Sequence, residues 1–260
     1  MGLQDDNRHA WNIAAQKYVR ETDDLLEQAR VGGALLPAEL ELLADILAAG
    51  PRVVHLQSGH GLETIDLRRH GADRVIGIDF SQVTATAAAG RAAQVVDATW
   101  FVVADAVRTP LVGGCADLVY TGKGALIWLD DLDRWASEVA RLLSGGGHLF
   151  VYEAHPAACL WSRDPDRTTV RSDGSYFGGT RVNDSFPASA IERFSSDPSV
   201  QALEWQWTMA DVVNTILSHG LELLHLGEYP EPFWRPDGVD VAAWQGQLPN
   251  AFSLLARNKP

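Results

Sequence analysis

The stretch VVHLQSGHGLETIDLRRHGADRVIGIDFS, which spans residues 53–81, decides the fold of this chain. An apolar strand over 53–56 enters a turn that contains Gly59 and Gly61, a helix follows, and a second apolar strand ends at Asp79. Glycines at a strand-to-helix turn let the backbone approach a ligand that a Cβ atom would block, and the next helix offers unpaired N–H groups. A carboxylate beside them can accept hydrogen bonds from both hydroxyl groups of a ribose. The stretch therefore predicts a nucleoside-binding site at one edge of a sheet.

A second carboxylate, Asp105, follows the third predicted strand, residues 100–104. Because the carboxyl ends of parallel strands meet at one edge of a sheet, we expect Asp105 to lie near Asp79, where the exocyclic amine of an adenine would satisfy it. A strand over 116–121 and another that ends at Glu153 come next. Strands that alternate with helices through short connections predict a parallel sheet covered on both faces.

In this order the residues resemble a class I S-adenosylmethionine-dependent methyltransferase of the small-molecule type. The resemblance covers nearly the whole chain, including WNIAAQKY over 11–18, which looks like the helix that covers the cofactor in many such enzymes. It implies an α/β, Rossmann-like sheet of seven strands, mostly parallel, with helices on both faces and a substrate cap. The last strand, over 251–256, is expected to run antiparallel between the fifth strand and the sixth, over 221–226.

The resemblance also implies a function and a cofactor. The cofactor is S-adenosylmethionine, which leaves as S-adenosylhomocysteine, and the reaction is an in-line methyl transfer to a small organic acceptor, with O- or N-methylation favoured. Asp79 would hold the ribose, and Asp105 and Ala106 would address the adenine. Aromatic faces help to hold a sulfonium, so Trp11 and Tyr18 are expected to contact it under a closed lid. Ten residues are expected to bind the cofactor: Trp11, Tyr18, Gln57, Ser58, Gly59, Asp79, Phe80, Asp105, Ala106 and Tyr120.

The glycine turn departs from the pattern of the family at two positions. The first-strand motif of the family carries an acidic residue where this chain has His55, and a glycine where it has Gln57, whereas Gly59 and Gly61 are retained. Because such a loop acts mainly through its main chain, we expect Gln57 and Ser58 still to present backbone groups to the methionine portion.

Catalysis by methyl transfer needs chiefly alignment and exclusion of water, with a base only where the acceptor carries a poorly acidic proton. The candidate bases lie at the carboxyl ends of the fourth and fifth strands: Tyr120 and Lys123 on the fourth, and Glu153 and His155, which are favoured, on the fifth. The alternative for His155 is that, with Pro156, it marks the turn out of the sheet. For Glu153 the alternative is a partner for an arginine or a loop amide. No metal is expected.

We predict a single domain over residues 1–260. Its parts are lid helices over 1–36, a cofactor-binding core over 37–155, an inserted substrate cap over 156–204, and a C-terminal helix with the last two strands over 205–260. The predicted cap is polar, is too long for an ordinary connection, and mixes aromatic with basic side chains: Trp161, Tyr176, Phe177, Phe186, Arg163, Arg167, Arg171 and Arg181. This mixture suits a planar or acidic organic molecule, and the alternative is an irregular excursion whose aromatic residues anchor it to the sheet.

Charge and composition exclude several classes of partner. The net charge of −13 would repel a nucleic-acid backbone or an anionic membrane surface, so the expected partner is a small-molecule acceptor, with no nucleic acid and no membrane. The two cysteines, Cys115 and Cys159, form no disulfide framework or Cys-rich metal site. The chain shows no signal region and no apolar run of membrane-spanning length, so we expect a cytoplasmic protein. The oligomeric state is left open.

Two alternative functions remain at this stage. An NAD-dependent oxidoreductase shares the first glycine turn and Asp79, but its G-x-G-x-x-G motif would need a glycine where this chain has Thr64, and it gives Asp105 no role. A non-catalytic cofactor-binding protein of the methyltransferase fold is the other alternative, which the unusual His55 and Gln57 keep open.

Overall fold

The computed structural model describes residues 3–172, 174–183, 202–235 and 239–259. A seven-stranded sheet forms the centre of the described chain, and its strands lie in the order β3-β2-β1-β4-β5-β9-β8. The strands are β1 Arg52–Leu56, β2 Arg74–Asp79, β3 Thr99–Val103, β4 Ala116–Gly122, β5 Leu143–Ala154, β8 Leu221–Tyr229 and β9 Ala251–Asn258. Strands β1 to β5 pair in parallel, and β9 runs antiparallel between β5 and β8. This order confirms the predicted fold class.

Eight helices flank or precede the sheet in the described ranges: α1 Leu3–Ala14, α2 Gln16–Arg20, α3 Thr22–Val31, α4 Pro37–Ala48, α5 Leu62–Arg69, α6 Gln82–Ala92, α7 Leu132–Leu142 and α8 Met209–Ser218. The first three form the N-terminal segment that was predicted as a lid. None of these helices combines the length and the apolar character needed to cross a lipid bilayer.

The two faces of the sheet are covered by different apolar clusters, because successive side chains of a strand point to opposite faces. Val54 of β1 packs in a cluster with Trp135 of α7 and Ile216 of α8. Val53, the preceding residue, packs instead with Leu43 of α4, on the other face. The helices therefore bury both faces, and the carboxyl edge of the parallel strands stays available for a site.

The predicted cap contains a short two-stranded hairpin. Its strands are β6 Thr180–Asn183 and β7 Ala202–Trp205, which pair antiparallel, so the hairpin ends one residue beyond the predicted boundary of the cap. Helix α1 is fastened to it by two hydrogen bonds, from Asn7 Nδ2 to the carbonyl oxygen of Leu203 at 2.9 Å and from the Leu203 amide to Asn7 Oδ1 at 2.8 Å. Phe186, one of the predicted aromatic residues, lies outside the described residues.

Candidate functional site

A cavity opens at the carboxyl ends of β1, β2 and β4, beneath helices α1 and α2, and we call it the sheet-edge cavity. All ten residues that the sequence assigns to the cofactor line it. The two predicted bases, Glu153 and His155, do not. They line a second cavity under the hairpin, which we call the cap cavity.

Asp79 is the central acidic group of the sheet-edge cavity. Its Oδ2 accepts a hydrogen bond from the Gly59 amide at 3.0 Å, and its Oδ1 accepts one from the Ser81 amide at 2.8 Å. The side chain is only 8 % exposed, and this burial raises the pKa of Asp79 to about 7, although the two backbone hydrogen bonds act in the opposite direction. The carboxylate is thus oriented by main-chain groups before any ligand arrives.

The glycine turn has a left-handed backbone at three positions: φ is +55° at Gln57, +50° at Gly59 and +82° at Gly61. Gly61 has no room for a side chain, since a Cβ there would come within 2.9 Å of the Ala88 Cβ. Gly59 is different, because a Cβ built on it meets no atom within 4 Å. Its backbone therefore borders open space, in which a ligand can approach the main chain.

The side chain of Gln57 links this turn to the loop that follows β4. Its Nε2 donates to the carbonyl oxygen of Ala125 at 2.7 Å and so ties the loop after β1 to the loop after β4. A left-handed conformation is unfavourable for a residue with a side chain, by roughly 1–2 kcal/mol. The link to Ala125 holds Gln57 where the family has a glycine.

Ser58 is held in the glycine turn by its main-chain groups. Its amide donates to the Ile78 carbonyl oxygen at 2.8 Å, and its own carbonyl oxygen accepts from the Gly61 amide at 2.9 Å. Its hydroxyl is buried and has no partner among the described residues, and it would lie 2.9 Å from a Cβ placed on Gly77. The main-chain groups of Ser58 thus shape the turn, and the residue lines the sheet-edge cavity.

The opposite end of the sheet-edge cavity is formed by the loops after β2 and β3. Asp105 Oδ1 accepts from the amide of Val107 at 3.1 Å, which closes a tight turn, and the residue lines the cavity. Ala106 is buried beside it, and Phe80 adds an aromatic face. These residues form the predicted adenine end of the site.

A buried ionic network lies at the other end, around Lys123. Its Nζ is 2.9 Å from Glu39 Oε2 and 3.3 Å from Glu63 Oε1. The Tyr120 hydroxyl donates to Glu39 Oε1 at 2.5 Å, so Tyr120 presents its ring, not a free hydroxyl, to the cavity. Burial raises the pKa of Glu63, but His60 and Lys123 outweigh it and hold that pKa at about 2. Glu63 is therefore an ionised carboxylate in the cavity wall.

His55 occupies the position at which the family carries an acid, and it is neutral. Burial lowers the pKa of His55 to about 3. Its Nδ1 lies 2.8 Å from Thr64 Oγ1, and its ring contacts the ring of Tyr120 edge to face. His55 therefore supplies shape, and the negative charge at this end comes from Glu63 instead.

The lid is attached to the cavity by Arg91 and by aromatic contacts. Arg91 Nη1 donates to the His60 carbonyl oxygen at 2.8 Å, and its Nη2 donates to the Tyr18 carbonyl oxygen at 3.3 Å. The rings of Trp11 and Trp128 meet edge to face with centroids 5.3 Å apart. Burial raises the pKa of Tyr18, so its phenol stays protonated at neutral pH. The two predicted lid aromatics thus lie against the cavity.

Glu153 is a structural anchor and not a free base. Its Oε1 accepts from the amides of Gly124 at 2.6 Å and Ala154 at 2.7 Å, and its Oε2 accepts from those of Ala125 at 2.7 Å and Leu126 at 3.0 Å. The side chain is only 2 % exposed. A carboxylate with four backbone donors is held in place as an acceptor, so we assign it to positioning the loop after β4, as in the loop-amide alternative.

His155 also has both ring nitrogens engaged. Its Nδ1 accepts from the Ala157 amide at 3.1 Å, and its Nε2 lies 2.8 Å from Glu228 Oε1. Burial lowers the pKa of His155, and Glu228 opposes this effect. With Nδ1 accepting a backbone bond, the proton sits on Nε2 and points to Glu228. The geometry therefore favours the interpretation in which His155 ends the strand and fixes the turn at Pro156.

Several residues that line the sheet-edge cavity were missed at the sequence level, and Asn7, Glu63 and Trp128 are among them. Glu63 lies in the first turn of the helix that follows the glycine turn, and this position was a usable signal. Trp128 belongs to a 3-10 helix of three residues, Leu126–Trp128, which is too short to show a periodic pattern of apolar residues in the sequence. Asn7 becomes part of the site only because α1 folds back over the sheet.

Part of this chain is similar to a known protein family. Residues 54–151 match the family model of a methyltransferase domain. No curated protein matches the chain in sequence.

Three solved structures illustrate the range of proteins with this fold. An S-adenosylmethionine dependent methyltransferase from Mesorhizobium loti is 23% identical, with a TM-score of 0.64 over 87% of this chain and 100% of that one. The geranyl diphosphate C-methyltransferase from Streptomyces coelicolor A3(2), solved with Mg²⁺, geranyl diphosphate and S-adenosyl-L-homocysteine, is 15% identical, with a TM-score of 0.53 over 86% and 80%. The 4+2 cyclase SpnF is 18% identical, with a TM-score of 0.54 over 85% and 82%.

The match over residues 54–151 agrees with the predicted family and its S-adenosylmethionine-dependent chemistry, and the solved structures, each below 25% identity, show that the fold is shared. They give no support to the NAD-dependent alternative. The acceptor and the methylated atom are not fixed by them, since the similar structures include a C-methyltransferase and a cyclase.

Proposed function

We propose that this chain, whose residues 54–151 match the family model of a methyltransferase domain, transfers a methyl group from S-adenosylmethionine to an oxygen or nitrogen atom of a small organic acceptor. The observation that carries the proposal is the Asp79 carboxylate, fixed by the Gly59 and Ser81 amides at the rim of the sheet-edge cavity. Each of its oxygens keeps a lone pair, so one side chain can accept from both ribose hydroxyls.

The residues of the sheet-edge cavity fit the cofactor in shape and charge. The open space beside Gly59 admits a ligand against the main chain, and Asp105, Ala106 and Phe80 would border the adenine. Glu63 is ionised and lines the opposite end, so it would pair with the methionine ammonium in place of the acid that His55 replaces. When bound, the cofactor supplies a methyl group on a positively charged sulfur.

The state of the two candidate bases supports oxygen or nitrogen as the acceptor atom. A lone pair of the acceptor forms the new bond to the methyl carbon, while the C–S bond breaks and its electron pair stays on sulfur. A carbon acceptor must in addition lose a C–H proton to a base, and both Glu153 and His155 are engaged elsewhere. An ionised oxygen or a neutral amine needs only alignment and exclusion of water, which helices α1 and α2 would provide.

The acceptor would enter from the cap cavity. Ala125, Trp128 and Leu129 line the sheet-edge cavity, whereas Leu126 and Ile127 line the cap cavity, so one turn of the chain forms a wall of both. An acceptor in the cap cavity would therefore lie next to the methyl donor. The Glu153 carboxylate fixes this wall through three of its amides.

Two measurements test the proposal. In a thermal-shift assay, S-adenosylhomocysteine should raise the melting temperature and NADH should not, because only a ligand that binds the folded state stabilises it. Stabilisation by NADH alone would refute the assignment of the site.

The second measurement distinguishes an enzyme from a cofactor-binding protein. The protein is incubated with methyl-labelled S-adenosylmethionine and a fraction of small molecules from a cell extract, and label should appear in a new small molecule. Binding of S-adenosylhomocysteine with no transfer to any fraction would instead support the non-catalytic alternative.

A further inference from the structure

The cap cavity carries basic groups although the chain as a whole is acidic. Three guanidinium groups line it, those of Arg163, Arg171 and Arg181. The carboxylates among its described lining residues are those of Glu153 and Glu204. For a chain with a net charge of −13, this concentration of arginine in one concave surface needs an explanation.

Both carboxylates of the lining are already bound. Glu153 accepts four backbone hydrogen bonds. Glu204 Oε2 pairs with the guanidinium of Arg181, and its Oε1 accepts from Asn183 Nδ2 at 2.6 Å. Arg163 is exposed and pairs with no acid in the part of the chain that the structure describes. Arg163 thus offers a positive charge with which no acid of the described lining pairs.

Aromatic surface accompanies this charge. Five of the nine tryptophans of the chain line the cap cavity: Trp161, Trp205, Trp207, Trp234 and Trp244. Trp207 Nε1 donates to the Leu129 carbonyl oxygen at 3.1 Å, so this wall is joined to the turn shared with the sheet-edge cavity. Trp234, in contrast, is 63 % exposed and presents a large apolar face to solvent. An exposed tryptophan in a concave surface is typical of a binding site.

We propose that the cap cavity binds the methyl acceptor and that this acceptor is a planar organic anion, an aromatic carboxylate. The inference rests on the proposed methyl transfer and specifies its substrate class. Tryptophan faces would stack on the ring, and the guanidinium of Arg163 would pair with the carboxylate, since a planar guanidinium matches that group in charge and geometry. The acceptor is thereby held with its ring toward the shared wall.

The test uses two probes of equal shape, indole-3-acetate and its neutral amide, indole-3-acetamide. Their binding to the full chain is measured by calorimetry with saturating S-adenosylhomocysteine. The acid should bind about tenfold more tightly than the amide, because charge-assisted hydrogen bonds are roughly twice as strong as neutral ones. Arg163→Gln should reduce the affinity for the acid about three- to fivefold, within the range of a partly exposed ion pair, and leave the amide unchanged.

Two further variants serve as controls. Arg163→Lys keeps the charge and should retain most of the preference for the acid. Arg134→Gln removes an exposed arginine of α7 outside the cavity and should change neither affinity. No binding of the acid, equal affinities for the two probes, or an Arg163→Gln preference equal to that of wild type would each overturn the proposal. Because S-adenosylhomocysteine binding is measured first, its absence identifies instead a failure of the proposed function.

Discussion

Replacement of Asp79 by asparagine removes the charge of the proposed ribose contact and keeps the size of the side chain. The remaining carbonyl oxygen can still accept one of the two backbone bonds from Gly59 and Ser81, so the turn is disturbed less than by alanine. Hydrogen bonds to a charged acceptor contribute about 1.5–3 kcal/mol. The dissociation constant for S-adenosylhomocysteine should therefore rise about 10- to 150-fold.

Isothermal titration calorimetry measures this change, and circular dichroism melting shows whether the fold is retained. The matched control is Asp73→Asn, which lies just before the opposite end of β2 and pairs with Arg74 at the surface. This control should bind S-adenosylhomocysteine as wild type does. If Asp79→Asn is folded and its affinity stays within about twofold of wild type, Asp79 does not hold the ribose, and the placement of the adenosyl group fails with it.

Three further predictions follow from the charge states and hydrogen bonds of the two cavities. Because burial raises the pKa of Asp79 to about 7 and only the carboxylate accepts from both hydroxyls, cofactor binding releases a proton. Calorimetric affinity for S-adenosylhomocysteine should thus fall about tenfold from pH 8 to pH 6 in wild type, and a similar fall in Asp79→Asn would contradict this origin. Glu153→Gln should lower the free energy of unfolding in urea by about 1–3 kcal/mol, since donors are left unpaired, with no limb of the pH–rate profile lost; loss of a limb would restore its role as a base. His155→Asn should keep initial rates within about tenfold of wild type, whereas loss of a general base lowers rates about 10²–10⁴-fold and would disprove our assignment.

The parallel strands could be predicted because several of them end in a recognisable way, whereas the place of β9 between β5 and β8 came from the resemblance. Apolar runs that stop at Asp79, Asp105 and Glu153 mark carboxyl ends, and the parallel arrangement brings such ends to one edge. The same logic located eight of the ten predicted lining residues of the sheet-edge cavity, and the resemblance supplied Trp11 and Tyr18. The signals that marked most of them, glycines and acids at strand ends, are local in sequence, although several of their contacts, such as that of Gln57 with Ala125, are not.

The roles at the end of β5 could not be predicted, because they depend on contacts with distant segments. Glu153 meets amides 27 to 29 residues earlier in the chain, and His155 meets Glu228 across the sheet. The left-handed backbone of Lys123, with φ of +58°, gives no sign in the sequence and yet directs its ammonium group to Glu39 and Glu63. Which acidic side chain pairs with which partner depends on how distant segments of the chain pack together.

Helix α1 lines the sheet-edge cavity and is also hydrogen-bonded to a strand of the cap cavity. Asn7 and Trp11 border the sheet-edge cavity, while the two Asn7 bonds to Leu203 hold the strand that carries Glu204 and Trp205. Swinging this helix outward to let a nucleoside in or out must break both bonds, each worth about 0.5–1.5 kcal/mol. Opening of the sheet-edge cavity by movement of α1 would therefore also remove a support of β7 in the wall of the cap cavity.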